Sequence, residues 1–168
     1  MPFTSKEETL INFLLIFYKN KTTILKDIIN QKTPLSLRLL DWLVTNYAKK
    51  YNVVYTIRKN NTNSNFNIYL DYKNQLKAYS KKRFDPFCRW DRITVPYNTN
   101  QYIQTTIGQL NFFKWALEKN VIKYIEDNYS EIENDMNTRN STAKRKITTQ
   151  KTRKKREELS ISASKSIK

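Results

Sequence analysis

Apolar residues recur along this chain at two spacings, and the change between them divides it. In the first 50 residues the spacing is helical. Thr4 or Ser5, with Glu7 or Glu8 three residues on, gives a capping-box start, and a helix is predicted from there to about Tyr18, with Asn20 as its stop. A second helix is expected over about Thr23–Asn30, with Ile24, Leu25, Ile28 and Ile29 on one side. Thr33 is placed to cap a third, with Pro34 at the first helical position, where its missing N–H does no harm. Leu35, Leu39, Trp42, Leu43 and Tyr47 form its inner stripe, and Lys49-Lys50 end it favourably against the helix dipole.

The period then shortens to two. Val53, Tyr55 and Ile57 alternate with polar or outward positions, as do Phe66, Ile68, Leu70 and Tyr72. The polar run Lys59–Asn65 between them reads as a hairpin connection. Residues 73–82 fit either an extension of the second strand or a short helix, and the helix is preferred. Asp85-Pro86 marks a turn. Arg92–Tyr97 fits a short strand with Ile93 and Val95 inward, confined by Pro96 to an edge. Thr106, with Gln109 three residues on, caps a further helix carrying Leu110, Phe113, Leu117, Val121 and Tyr124. Asn120 divides it, and the second part ends near Asn137. The predicted fold is α+β: an N-terminal three-helix unit, a β-hairpin, a basic irregular stretch and C-terminal helices.

Charge adds a boundary that hydrophobicity alone does not. The 168 residues carry 31 Lys+Arg against 15 Asp+Glu, a net +16, and from Arg139 onward there are eleven bases against two acids. That segment has no aromatic residue and only scattered aliphatics, too little apolar surface to offset ordering entropy. The organisation expected is one α+β domain over 1–138 and a disordered basic tail over 139–168.

Composition also excludes chemistry. With no His, Ser-His-Asp and Cys-His nucleophile systems are absent, as is any zinc site using imidazole. One Cys, Cys88, cannot form an internal disulfide, which favours a reducing, intracellular setting. One Gly, Gly108, is too few for a P-loop or a dinucleotide fingerprint. The longest apolar run, Leu10–Tyr18, has nine residues where a bilayer span needs about 20, so it reads as a buried helix. No cofactor, metal or membrane partner is expected, and no enzymatic activity.

Three features remain as carriers of function. The helix-helix-helix-hairpin order of residues 5–72 matches that of winged-helix DNA readers, with the third helix in the major groove and 59–65 as the wing. Against that, Leu35–Tyr47 offers mainly Arg38, Asp41 and Asn46 for base reading, a pattern better suited to a core helix. The second feature is Tyr72–Arg92, where Lys73, Lys77, Lys81, Lys82, Arg83, Arg89 and Arg92 alternate with Tyr72, Tyr79, Phe84, Phe87 and Trp90. Spaced cations neutralise phosphates and exposed rings stack on unpaired bases. Phe84 and Phe87 are expected in the core, and Trp90 joins the seven cations as a candidate contact. The third is the pair of basic clusters Lys144-Arg145-Lys146 and Lys151, Arg153, Lys154, Lys155 and Arg156. Such clusters serve as nonspecific nucleic-acid arms or localisation signals.

An enzyme reading stands beside these. Asp71-X-Lys73 at the end of an alternating strand is similar to the metal-binding half of a restriction-type nuclease core, in which a carboxylate holds Mg²⁺. It needs a second acid, for which Asp41, Asp85 and Asp91 are the candidates.

Residues 36–50 (SLRLLDWLVTNYAKK), 71–92 with Phe84-Asp85-Pro86-Phe87-Cys88-Arg89, and 105–115 (TTIGQLNFFKW) resemble an uncharacterised family of large, mimivirus-like DNA viruses. The likeness covers about residues 36–125 and leaves out the tail. It implies a viral protein of the host cytoplasm, viral factory or virion, with the nucleus as an alternative, and a viral genome or transcript as the partner of the basic segments. Nucleic acid, DNA or RNA, is therefore the expected partner, in genome organisation, packaging or transcription. An interaction or scaffold module that docks other viral proteins through helix 106–125 is the alternative.

Overall fold

The chain enters its first helix through the predicted cap. Glu7 N–H donates to the Thr4 hydroxyl, and the Thr4 N–H donates to the Glu7 carboxylate at 3.0 Å, which closes the capping box and starts α1 (Ser5–Tyr18). The structure is a computed structural model that describes residues 3–29, 35–89, 91–98 and 100–149. Along α1, Leu14 and Tyr18 are buried, whereas Phe13 and Ile16 are exposed, so the apolar run is only half interior. α2 (Thr22–Ile29) follows, with Ile24 exposed where the sequence suggests an inner position.

The third helix takes a different cap. Ser36 accepts the Leu39 N–H at 3.1 Å and opens α3 (Leu37–Trp42), while the expected Thr33 and Pro34 lie outside the described residues. The helix widens into a π-helical turn (Leu43–Tyr47) and ends in a last α turn, α4 (Ala48–Lys50). The buried pairs Leu39/Leu40, Leu43/Val44 and Tyr47/Ala48 repeat every four residues, longer than the 3.6 of an α-helix. The wider turn keeps that stripe facing inward. This helix is a core element, as its apolar content suggests, and presents little surface for base reading.

β1 (Val54–Lys59) and β2 (Thr62–Asn67) pair antiparallel from Val54↔Asn67 to Lys59↔Thr62. Only Asn60 and Asn61 form the connection, both with positive φ (49° and 59°), as a primed two-residue turn requires. The predicted wing loop over 59–65 is thus a tight hairpin, and its second strand ends earlier than the alternation implies. Ile68, Leu70 and Tyr72, expected in a strand, open α5 (Ile68–Phe84), because Asn67 caps the Leu70 N–H at 3.0 Å. The helix preferred over 73–82 is present as part of α5, which begins earlier and runs on to Phe84. It is interrupted at Ser80 (φ 64°, ψ 163°), where the helix kinks.

β3 (Arg92–Asn98) pairs with β4 (Gln101–Thr106), a strand that the hydrophobic pattern does not predict. Ile93 and Val95 face inward as predicted. Thr106 then accepts the Gln109 N–H and caps α6 (Ile107–Glu118) at the expected position. Asn120, in the left-handed region at φ 56°, separates α6 from α7 (Val121–Asp127). A further break at Asn128 precedes α8 (Tyr129–Thr149). The helix continues past Asn137, so the segment 139–149, read as the start of a disordered tail, is helical; residues 150–168 lie outside the described residues.

The fold is α+β, with two small antiparallel hairpins among helices. Residues through Met136 form one compact unit, and those from Asn137 onward group separately. α6 lies at the centre of the first unit, with Ile107, Leu110, Phe112, Phe113, Trp115 and Ala116 buried. Its burial removes it as the partner-docking surface that a scaffold role would need. Phe84, Phe112, Trp115 and Tyr72 form an aromatic cluster with ring centroids 5.7–6.2 Å apart. Tyr18 O–H reaches the Leu110 carbonyl at 2.6 Å. Trp42 Nε1–H and Lys50 Nζ donate to Asp135 at 3.0 and 2.6 Å, which ties α3 and α4 to α8. Among the described residues no helix is long and apolar enough to cross a membrane.

Candidate nucleic-acid interface

The kink at Ser80 sorts the cations of α5 into two sets. Before it, Lys73 and Lys77 are exposed and lie four residues apart on one helix face. After it, Lys82 and Arg83 turn toward the first helix. Lys82 Nζ lies 2.6 Å from a Glu7 carboxylate oxygen, and Arg83 Nε lies 3.5 Å from the same oxygen. Glu7 is 2% exposed, so these two bases serve to neutralise a buried acid. The structure thus gives both of these sequence candidates an ion-pair role with Glu7. The Arg83 carbonyl also accepts the Asn111 side-chain N–H at 2.9 Å.

The Lys82 bond, followed by the Thr4 N–H, holds the Glu7 carboxyl at about 2, well below its ordinary range. Asp41 behaves in the opposite sense. Burial first, and the charge of Asp85 second, push it up to about 6. Asp41 and Asp85 line a cleft of about 310 Å³ together with Thr45, Tyr69, Tyr72, Lys73, Leu76 and Lys81. Two acids there offset two lysines, so the cleft has no net pull on a polyanion.

The titrations have a measurable consequence. The folded state holds the Asp41 proton more tightly than the unfolded chain does, so this group favours folding at low pH. The advantage is lost as pH rises from about 3.8 through about 6. Asp41→Asn is therefore expected to raise the melting temperature at pH 8 and leave it nearly unchanged at pH 4. Glu7 runs the other way, and its contribution is lost as pH falls from about 4.5 through about 2. Differential scanning fluorimetry of the variant and the parent at the two pH values checks the Asp41 sign.

The remaining cations build a different site. After Phe84 the chain turns at Asp85: the Phe87 N–H donates to Asp85 Oδ1 at 2.9 Å and the Cys88 N–H to the Asp85 carbonyl at 3.2 Å. Pro86 is buried, so the turn is anchored. Phe87, expected in the core, instead projects outward and is 50% exposed. Arg89 and Arg92 follow, both exposed. Arg92 opens β3 and pairs with Thr106, the cap residue of α6. This register brings residues 86–89, Arg92, the end of β4 and the start of α6 around one cleft of about 630 Å³.

Its lining includes Phe87, Cys88, Arg89, Arg92, Gln104, Thr105 and Gln109, and none of the described lining residues is acidic. The N-terminal end of the α6 dipole adds to its positive character. Of the sequence candidates, Arg89 and Arg92 are thus brought together, Lys73 and Lys81 share the neutralised cleft, and Lys77 is exposed. Trp90, Lys151, Arg153, Lys154, Lys155 and Arg156 lie outside the described residues. Lys144, Arg145 and Lys146 fall within α8. Gln104 and Thr105 are not evident as site residues in the sequence because β4 is not, and alternation of Ile103 and Thr105 with polar neighbours is the signal that points to them; Gln109 stands out only as the residue three after the Thr106 cap.

Asp71 does not sit at a strand end. It lies in the first turn of α5 and accepts the Trp115 indole N–H at 2.6 Å, so the strand context of the nuclease reading is absent.

The sequence model of a family of unknown function, DUF7197, matches residues 1–167. The chain belongs to that family. The family match includes the N-terminal helices and the basic C-terminal segment, beyond the 36–125 region that the resemblance covers. The chain is also similar to the uncharacterized protein L507 of Acanthamoeba polyphaga mimivirus, 42% identical over 144 residues. That alignment covers 80% of this chain and 55% of the relative, so the chain spans about half the length of the curated protein it matches. No solved structure matches. A viral protein of a giant-virus family is what these likenesses support.

Proposed function

We propose that this protein binds nucleic acid through the Arg89/Arg92 cleft, assisted by its basic C-terminal segment, without chemistry of its own. The observation that carries the reading is a concave surface with two exposed arginines and no acid among its described lining residues. Guanidinium forks fit phosphate oxygens better than ammonium groups do. The excess of bases from Arg139 onward supplies nonspecific attraction and faster encounter. In a giant-virus setting the natural polyanion is the viral genome or its transcripts. The proposed role is genome organisation, packaging or transcription, in the host cytoplasm, a viral factory or the virion.

A salt-titrated binding assay on the full chain tests this. Arg89→Ala with Arg92→Ala is expected to weaken binding and flatten the salt dependence by about 0.9 log unit for each duplex phosphate no longer neutralised. Replacing Lys151, Arg153, Lys154, Lys155 and Arg156 by Gln flattens the slope further. Absence of binding near physiological salt, or a double arginine variant identical to the parent, refutes the reading.

A second reading has its own observation. Phe13 and Ile16 are exposed on α1, and Lys114 Nζ lies 5.0 Å from the Phe13 ring centroid. A protein-interaction role would use this face of α1 instead of the buried α6, and the arginine variants would leave it intact.

A further inference from the structure

We infer that the cleft and the adjoining outer face of the β3–β4 hairpin take a single strand, with unpaired bases stacked on Phe87 and Tyr102. This rests on the nucleic-acid reading above and narrows it to one class of ligand.

The register of the hairpin supplies the argument. Arg92 pairs with Thr106, Thr94 with Gln104 and Pro96 with Tyr102, and each of these pairs alternates with an inward one. Arg92, Gln104 and Tyr102 therefore share the outward face, and Tyr102 is 64% exposed there. Phe87 stands at the opposite end, on a turn fixed by Asp85. Arg92 and Pro96, the partner of Tyr102, lie four residue steps apart along the strand, a run of about 13 Å. The surface thus carries an aromatic ring at each end, arginines between or beside them, and an amide for a base edge.

Phe87 and Tyr102 flank a cationic cleft with no acid among its described lining residues, and both are outside the aromatic cluster of the core. A duplex hides its base faces within the stack and would gain nothing from these rings. Single strands offer a face for each base, so ring stacking with a cationic track favours them with little sequence preference. Arg89 and Arg92 would meet the phosphates, and Gln104 an exposed base edge. The deoxyribose and ribose forms share this chemistry.

Fluorescence anisotropy of the full chain with labelled oligothymidylate, oligouridylate and a blunt duplex of equal length tests the inference. Tighter binding of either single strand than of the duplex is expected, and the two sugars identify the preferred strand. Phe87→Ala and Tyr102→Ala are each expected to weaken single-strand binding about tenfold and leave duplex binding unchanged. Phe87→Tyr should keep the parent affinity, since it retains a stacking face. Both rings are exposed, so the alanine variants should melt as the parent does. If the alanine variants bind single strands as the parent does, the stacking inference is wrong. Should Arg89→Ala with Arg92→Ala still weaken binding in that case, the nucleic-acid reading survives without it. If the parent binds none of the three probes, both fall.

Discussion

Phe84→Ala is expected to destabilise the protein by about 3–5 kcal/mol, the largest single effect we anticipate. The ring is fully buried and contacts Tyr72, Tyr79, Phe112 and Trp115, with centroids 5.7–6.1 Å away. Its removal takes away transfer free energy and leaves a cavity among rigid aromatic neighbours that can collapse only in part. The position also has a functional side. Phe84 is the last residue of α5, immediately before the turn that holds Phe87 and Arg89. Urea denaturation followed by circular dichroism measures the loss, and Phe84→Leu, which keeps more of the volume, should show a smaller one. A loss below about 1 kcal/mol for the alanine variant would mean that the cluster repacks, contrary to this account.

Gly108→Ala is the second. In an unconstrained helix interior, alanine in place of glycine gains about 1 kcal/mol. Here the sign reverses. A Cβ at Gly108 would stand 2.6 Å from the Asp85 carbonyl oxygen and 3.3 Å from that of Lys82, both backbone atoms that cannot rotate away. Overpacking of this kind costs about 1–3 kcal/mol, and the backbone contact places Gly108→Ala toward a net loss despite the gain in propensity. Relief requires α6 to retreat from the Asp85 turn, which would spread the cleft. The expected result is a lower midpoint in urea together with weaker binding of the nucleic-acid probes. A variant more stable than the parent would sink the close-approach argument.

These two positions show what the sequence discloses and what it withholds. The start of α1 is legible because Thr4 and Glu7 solve a local problem, the unpaired N–H groups of a first turn, at fixed spacing. Thr106 with Gln109, and the break at Asn120, are legible for the same reason. The start of α5 is not, since Ile68 and Tyr72 lie inward at both a two-residue and a four-residue spacing. The Asn67 side chain decides between the two by capping Leu70. β4 is hidden because its inward residues, Ile103 and Thr105, are only partly apolar as a set, and its pairing depends on a partner across a turn.

The candidate site is legible in composition and not in arrangement. Lys82 and Arg83 meet Glu7 from a distant part of the chain, and no local pattern encodes that approach. Phe84 and Phe87 look equivalent on either side of Asp85-Pro86. Burial of the first and exposure of the second follow from the turn that Asp85 closes with its own side chain. Lone Gly108 announces the absence of a phosphate loop, but its actual role, contact with the backbone at Asp85, requires the tertiary structure.

The bond from the Tyr18 hydroxyl to the Leu110 carbonyl spans 92 residues of chain. During synthesis, α1 emerges long before α6, the element that receives it. At about 5–20 residues per second the ribosome needs roughly 5–20 s to supply that site. Leu14 and Tyr18 stay without their native cover over this interval, and a chaperone has a defined window in which to shield the nascent amino-terminal helix.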